Sequence, residues 1–131
     1  MDIPENLLYT QDHEWISVEG NNGKIGITDY AQTHLGDIVY IELPATDSEV
    51  AQGESIGVIE SVKAVANVFS PASGTIIEVN EELEDSPELL NTDPYENWIA
   101  IIELTELSEL DNLMTAEAYA TYCHNLEENE G

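Results

Sequence analysis

The chain has 131 residues, 42% of them apolar, and carries 28 Asp and Glu against two Lys and no Arg, a formal net charge of −26. That length and apolar content suit one domain, residues 1–131, around an ordinary globular core. The charge argues against nucleic acid, whose phosphates need Lys and Arg to release counterions, and against an anionic membrane surface; macromolecular partners should present basic patches.

Extended structure is predicted first. Glu14–Glu19 alternates between faces, Gly20–Gly23 supplies a turn, and Lys24–Ile27 resumes a strand, which together read as a hairpin. Thr28-Asp29 offers a helix cap and Gly36 a stop, around a short helix Tyr30–Leu35. Gly36–Pro44 is the next strand, followed by Ser55–Val62, Ala64–Phe69 and Thr75–Val79, with Ser70–Gly74 as a turn. Residues 80–97 read as an acidic loop in which Ser86-Pro87 opens one helical turn through Leu90. Trp98–Leu104 is nearly continuous in apolar character and is expected to be buried on both faces. Beyond it, Leu107, Leu110, Leu113 and Met114 recur at helical spacing. Thr115 caps a second helix with Tyr119, Tyr122, Cys123 and Leu126 on one stripe, and Glu127–Gly131 is expected to fray.

Many short strands punctuated by Gly and Pro predict a mostly β fold, a sandwich or barrel with a helical C-terminal appendage. A faint echo between Gly36–Leu43 and Gly74–Asn80 hints at two related halves. The single Cys123 leaves no intramolecular disulfide. No apolar run reaches the ~18–20 residues that span a bilayer. With no basic or apolar leader at Met1–Asn6, a cytoplasmic protein of a bacterium or archaeon is expected.

Few residues offer chemistry. Lys63 lies between two alternating strands, where a hairpin tip would hold it in solvent. A lysine of ordinary basicity is protonated and a poor nucleophile, so it suits attachment better than catalysis. From context alone the commoner reading is an edge lysine that discourages strand addition. Lys24, after a glycine turn, reads as an exposed turn lysine. His13, His34, His124 and Cys123 lack the paired spacing of zinc ligands, and Cys123 falls on the apolar stripe. Asp85, Glu88 and Asp93 lack the pattern of a calcium loop. No P-loop, Gly-x-Gly-x-x-Gly or nucleophile elbow occurs, so neither a catalytic set nor a metal site is assigned.

At Glu60-Ser61-Val62-Lys63-Ala64 the chain resembles the glycine cleavage system H proteins. The likeness continues through His13-Glu14-Trp15, Gly26–Gln32, His34–Asp37, Ser70-Pro71-x-Ser73-Gly74, Val79-Asn80, Pro94-Tyr95 and Glu117-Ala118-Tyr119. This ordered set covers nearly the whole chain and displaces the edge-lysine reading. The resemblance implies a barrel-sandwich hybrid, a flattened sandwich of two antiparallel sheets, and a non-enzymatic carrier with lipoate amide-linked to Lys63. It implies shuttling of an aminomethyl group from a glycine decarboxylase (P protein) to an aminomethyltransferase (T protein), and of reducing equivalents to a dihydrolipoyl dehydrogenase (L protein). A lipoate ligase or lipoyl synthase would modify the lysine, with Glu60 as a recognition contact, and the carrier is expected to be a monomer. Glu14, His34 and Asn67 become candidates for a pocket that shields the loaded arm. Many members have an acid four residues beyond the lysine, where this chain has Asn67.

Other carriers fit less well. Biotinyl carriers flank their lysine with methionines, whereas Val62 and Ala64 stand here. Lipoyl domains of 2-oxoacid dehydrogenases usually place Asp before the lysine and lack C-terminal helices. A paralogue that relays lipoyl groups to other carriers, or that has lost attachment and serves as an interaction protein, is the remaining alternative.

Self-repulsion among so many carboxylates is screened by salt. The melting temperature is therefore expected to rise with ionic strength, and a value that stays flat from low to high salt would contradict this.

Overall fold

The computed structural model describes residues 1–130, with side chains described through Glu128. Among these residues nine strands are formed: β1 (Leu8–Tyr9), β2 (Glu14–Glu19), β3 (Asn22–Ile27), β4 (Ile38–Glu42), β5 (Glu49–Val50), β6 (Ser55–Ser61), β7 (Val65–Phe69), β8 (Gly74–Val79) and β9 (Ala100–Leu104). Helices α1 (Asp29–Leu35), α2 (Glu82–Asp85), α3 (Leu89–Thr92) and α4 (Ala116–Glu130) accompany them, with a 3₁₀ segment at Leu107–Asn112. The strands make two antiparallel sheets, one of six strands in the order β1-β2-β3-β9-β8-β5 and one of three in the order β4-β6-β7. The mostly β fold expected from the sequence is the one observed.

Between the sheets lies an aliphatic core that includes Ile16, Ile25, Ile41, Ile59, Val68, Ile76 and Ile102. A second cluster of Tyr9, Trp15, Tyr30, Tyr119 and Cys123 seats α4 against β1, β2 and α1. Two glycines are demanded by close approach. A Cβ on Gly57 would stand 2.3 Å from the Glu42 carbonyl oxygen, and one on Gly74 would stand 2.1 Å from that of Glu103. Both sit where neighbouring strands press together, Gly57 beside a register shift in β6.

The hairpin β2–β3 pairs Glu19 with Asn22, so its turn is only Gly20-Asn21. Helix α1 begins as expected: Thr28 accepts a hydrogen bond from the Ala31 N–H, and Gly36 ends it at φ +78. Thr115 likewise caps α4, accepting from Ala118 N–H at 3.2 Å.

Four expectations need correction. Residues 80–97 hold two short helices, α2 and α3, where a loop with one helical turn from Ser86-Pro87 through Leu90 was expected, because Leu83 and Leu90 are fully buried and pull their turns against the core. Strand β9 is not buried on both faces: Ile102 and Leu104 point inward, while Glu103 is exposed and Ile101 half-buried beside Lys24, since helix α4 covers the outer face of the six-stranded sheet only at β1 and β2. The two-residue strands β1 and β5 at the sheet's ends were not foreseen; they are too short to show a periodicity. Finally, α4 continues through Glu130 instead of fraying from Glu127; Gly131 lies outside the described residues.

Leu90 is 0% exposed although the stretch around Leu89-Leu90 is polar. Leu90→Ala should cost about 2–5 kcal/mol in denaturant unfolding. A loss below half a kcal/mol would mean that α3 does not close the core.

Candidate functional site

Strands β6 and β7 are joined by a tight turn. Ser61 N–H donates to the Ala64 carbonyl at 2.8 Å, and Ser61 Oγ accepts from Ala64 N–H at 3.0 Å and Lys63 N–H at 3.3 Å. Val62 N–H donates to the Asp37 carbonyl at 3.0 Å, which pins the turn to the segment after α1. Val62, Lys63, Ala64 and Val65 are all exposed. The lysine stem lies over Gly36, where a Cβ would come 3.4 Å from Lys63 Cε. Gly36 and β4 are held in turn by Asn91 of α3. Its amide donates to the Gly36 carbonyl at 2.8 Å, and its oxygen accepts from Ile38 N–H at 2.9 Å. Among the described residues no carboxylate forms an ion pair with Lys63. The ammonium is thus offered to solvent on a stiff loop.

Beside this hairpin, α1 and β7 enclose a cavity of about 220 Å³ with the start of β2. Its walls include Ile27, Leu35, Ile59 and Val68, with Glu14, His34 and Asn67 among the polar lining residues. The three residues singled out from the sequence therefore converge on one cavity. It is smaller than the ~300–1,000 Å³ of ordinary ligand sites, a size suited to the end of an arm rather than a whole cofactor.

Glu14 is its unusual member, only 2% exposed. Glu14 Oε1 accepts from Thr10 Oγ1 at 2.5 Å, and Oε2 accepts from Phe69 N–H at 3.2 Å. These bonds favour the carboxylate, but burial outweighs them and pushes the carboxyl up to about 7. His34 is exposed, and its Nδ1 donates to the Tyr30 carbonyl at 2.9 Å. Tyr30 is sandwiched between two imidazoles, His13 at 4.3 Å and His34 at 3.9 Å between ring centroids. His13 is held at φ +70, a left-handed conformation costing ~1–3 kcal/mol that the sandwich and its hydrogen bonds must offset. Asn67 is exposed, and its Oδ1 accepts from Ser55 Oγ at 3.1 Å.

The remaining candidates fall elsewhere. Glu60 is half-buried on β6, between Tyr40 of β4 and Val65 of β7, and does not line the cavity. Lys24 lies on the outer face of the six-stranded sheet. Cys123 is fully buried, and His124 reaches Glu128 at 3.1 Å on α4. Among the described residues, no group of three or more His, Cys, Asp and Glu is arranged to hold a metal ion. No helix there is long and apolar enough to cross a membrane.

The sequence pattern of the glycine cleavage H-protein family matches residues 7–126. The chain belongs to this family. Glycine cleavage system H proteins of Alkaliphilus oremlandii and Clostridium botulinum (type A, strain Hall) are similar to it. The first is 56% identical over 117 residues, covering 89% of this chain and 92% of the relative. The second is 54% identical over 127 residues, covering 97% and 98%. A crystal structure of a glycine cleavage system H protein from Mycobacterium marinum superposes with a TM-score of 0.83 at 40% identity, covering 91% of this chain and 97% of that one. As an H protein the chain is a lipoyl carrier of glycine cleavage, working with the proteins of that system and not itself an enzyme.

Several residues that hold Glu14 and the lysine turn in place were not found by sequence reasoning. Thr10 reaches Glu14 only because the chain folds back through the turn ending at His13, and Phe69 contributes a backbone N–H that any residue supplies. Asn91 sat in a stretch read as acidic loop, and its clamp spans 53 residues to Ile38.

The shifted carboxyl has a thermodynamic consequence. A group titrating near 7 when folded and near 4.5 otherwise binds more protons in the folded chain between those values. Its contribution therefore favours folding at low pH and is lost as pH rises through that window. Relative to Glu14→Gln, the native chain should lose on the order of 3 kcal/mol of stability between pH 4.5 and 7 and little beyond, at ~1.4 kcal/mol per unit. A stability difference between the two that is constant across the window would contradict this.

Proposed function

We propose that the lipoyl group of this carrier is amide-linked to Lys63 Nζ, and that the cavity lined by Glu14, His34 and Asn67 shelters its cargo between enzymes. The observation that carries the reading is the convergence of a buried carboxylate with a small, largely apolar cavity beside the only exposed lysine at a hairpin tip. The residues present fit the group: Lys63 is accessible and carries no competing ion pair among the described residues, so its amine is free to be acylated. Bound there, the group supplies a dithiolane that takes up and gives up an aminomethyl unit and two electrons. The chain supplies position and protection.

Tethering keeps the reactive end at high local concentration near each docked enzyme. The cargo's ammonium needs a counter-charge and acceptors once it leaves water. Glu14 offers both: its carboxyl, poised near neutrality, ionises when a cation arrives, and its fixed bonds to Thr10 and Phe69 aim the oxygens. Asn67 contributes an amide where many relatives hold an acid, so most of the charge stabilisation falls on Glu14. Ile27, Leu35, Ile59 and Val68 exclude water from the cargo.

In this reading the decarboxylase loads the carrier, the aminomethyltransferase unloads it and the dihydrolipoyl dehydrogenase reoxidises it, after a lipoate ligase or lipoyl synthase has modified Lys63 with Glu60 as a contact. Val39, Tyr40, Val62 and Val65, four of the exposed large apolar side chains, all lie on the three-stranded sheet or in its lysine turn, where visiting enzymes would land.

Incubation with a lipoate ligase and lipoate should add one lipoyl mass to the native chain and none to Lys63→Ala; equal addition to both would overturn the attachment. With lipoylated chain, glycine–bicarbonate exchange by the decarboxylase separates a cleavage carrier from a relay, which would not support it. Once loaded, Glu14→Gln should lose its one-carbon unit non-enzymatically about ten- to a hundredfold faster than the native chain, the loss of a charged hydrogen bond worth ~1.5–3 kcal/mol. An unchanged decay would remove Glu14 from the shelter.

A further inference from the structure

The wall of the cavity opposite β7 is tied to the C-terminal helix by a chain of hydrogen bonds that neither attachment nor shelter requires. His13 Nδ1 lies 2.8 Å from Tyr119 Oη, and Tyr119 Oη lies 2.7 Å from Thr28 Oγ1. Thr28 Oγ1 also accepts from Ala31 N–H at 3.2 Å, which is the cap of α1. Thr28 is fully buried, so its hydroxyl proton needs an acceptor within the fold.

One direction along this chain gives every donor a strong acceptor. If Thr28 donates to Tyr119, then Tyr119 donates to His13 Nδ1, and the imidazole carries its proton on Nε2. The reverse order would have His13 donate from Nδ1 and Tyr119 donate to Thr28. The Thr28 oxygen would then receive two hydrogen bonds while its own buried proton found no acceptor. Cys123 is a further acceptor in contact with the Tyr119 hydroxyl; a thiol sulfur accepts far more weakly than an imidazole nitrogen, so the Tyr119 proton goes to His13 Nδ1.

We propose that Tyr119 is a positioning residue of the cargo cavity: its hydroxyl, directed by Thr28, donates to His13 Nδ1 and fixes that imidazole as the neutral Nε2–H tautomer in the cavity wall. The inference rests on the shelter reading given above. It gives α4 a part in carrying cargo, since an imidazolium in the wall would repel a cationic amine, whereas a neutral ring does not.

The surroundings of His13 act in the same sense. From α1 it faces Tyr30 and, across that ring, His34; from α4 it faces Tyr119 and Tyr122; its own neighbour is Asp12. Burial first, and then His34, hold the imidazole below its usual range, and Asp12 opposes them. Tyr119 also stacks on Tyr9 at 4.6 Å, a contact that Phe retains, so Tyr119→Phe removes the hydroxyl with little change in packing.

The test is long-range ¹H–¹⁵N correlation of the histidine ring in the full chain, with and without Tyr119→Phe. The native ring should show the Nε2–H pattern near neutral pH. The variant should show a mixture of tautomers and a titration midpoint raised by roughly half a unit to one unit, as for loss of one hydrogen bond to the neutral form. An Nδ1–H pattern in the native chain overturns the proposal without recourse to any variant, and so does an unchanged pattern in a folded Tyr119→Phe. Decay of loaded carrier, with Glu14→Gln as the reference, then separates this inference from the one beneath it. If Glu14→Gln leaves the decay unchanged, the shelter reading fails, whatever His13 does. If Glu14→Gln accelerates it while Tyr119→Phe, its tautomer displaced, decays at the native rate from mildly acidic to neutral pH, the positioning role of Tyr119 fails alone. Faster decay of Tyr119→Phe, most marked on the acidic side, is the expected result.

Discussion

The hydrogen bond from the Phe69 amide to the Glu14 carboxylate joins the two sheets beside the cavity on which the proposed function rests. Glu14 belongs to β2 of the six-stranded sheet and Phe69 to β7 of the sheet that bears the lysine turn. A carboxyl group kept this far from water is costly to ionise, and the bonds from Thr10 and Phe69 only partly offset that cost. The result is a group poised between two protonation states, held at a fixed place in a cavity whose β7 wall follows the exposed lysine by a few residues. Were it exposed, it would be one more carboxylate among 28 acidic residues, with nothing to distinguish it.

The rest of the molecule serves to keep that arrangement rigid. Asn91 clamps the end of α1 to the start of β4, and Gly36 leaves room for the lysine stem beside them. The stacked His13–Tyr30–His34 rings hold one wall, and Tyr119 braces it from the C-terminal helix. A carrier has no transition state to stabilise, so its selectivity lies in what it shields and what it exposes. Here the apolar cavity walls face inward, while the lysine and several apolar side chains of the three-stranded sheet face solvent.

Much of the fold was legible because local chemistry and global pattern agreed. Thr28, Gly36 and Thr115 announced helix ends by capping, and alternation in Glu14–Glu19 and Ser55–Ser61 announced strands. What escaped was information held in tertiary contacts. Leu83 alone and the pair Leu89-Leu90 interrupt an acidic stretch, and only the burial of Leu83 and Leu90 shows that they anchor helices. The continuous apolar run of β9 suggested two covered faces, yet whether a second layer exists is decided by distant segments. At the site, Lys63, Glu14, His34 and Asn67 were recognisable by family resemblance. The groups that tune Glu14, a threonine hydroxyl and a main-chain amide, have no signature in sequence.

The most direct measurement is a ¹³C titration of the Glu14 carboxyl in the lipoylated chain, before and after loading with the aminomethyl cargo. The account predicts a midpoint near 7 when unloaded, as burial dictates, and a clear fall once the ammonium occupies the cavity. A midpoint that does not move on loading would show that the cargo rides outside the cavity and would contradict the central claim.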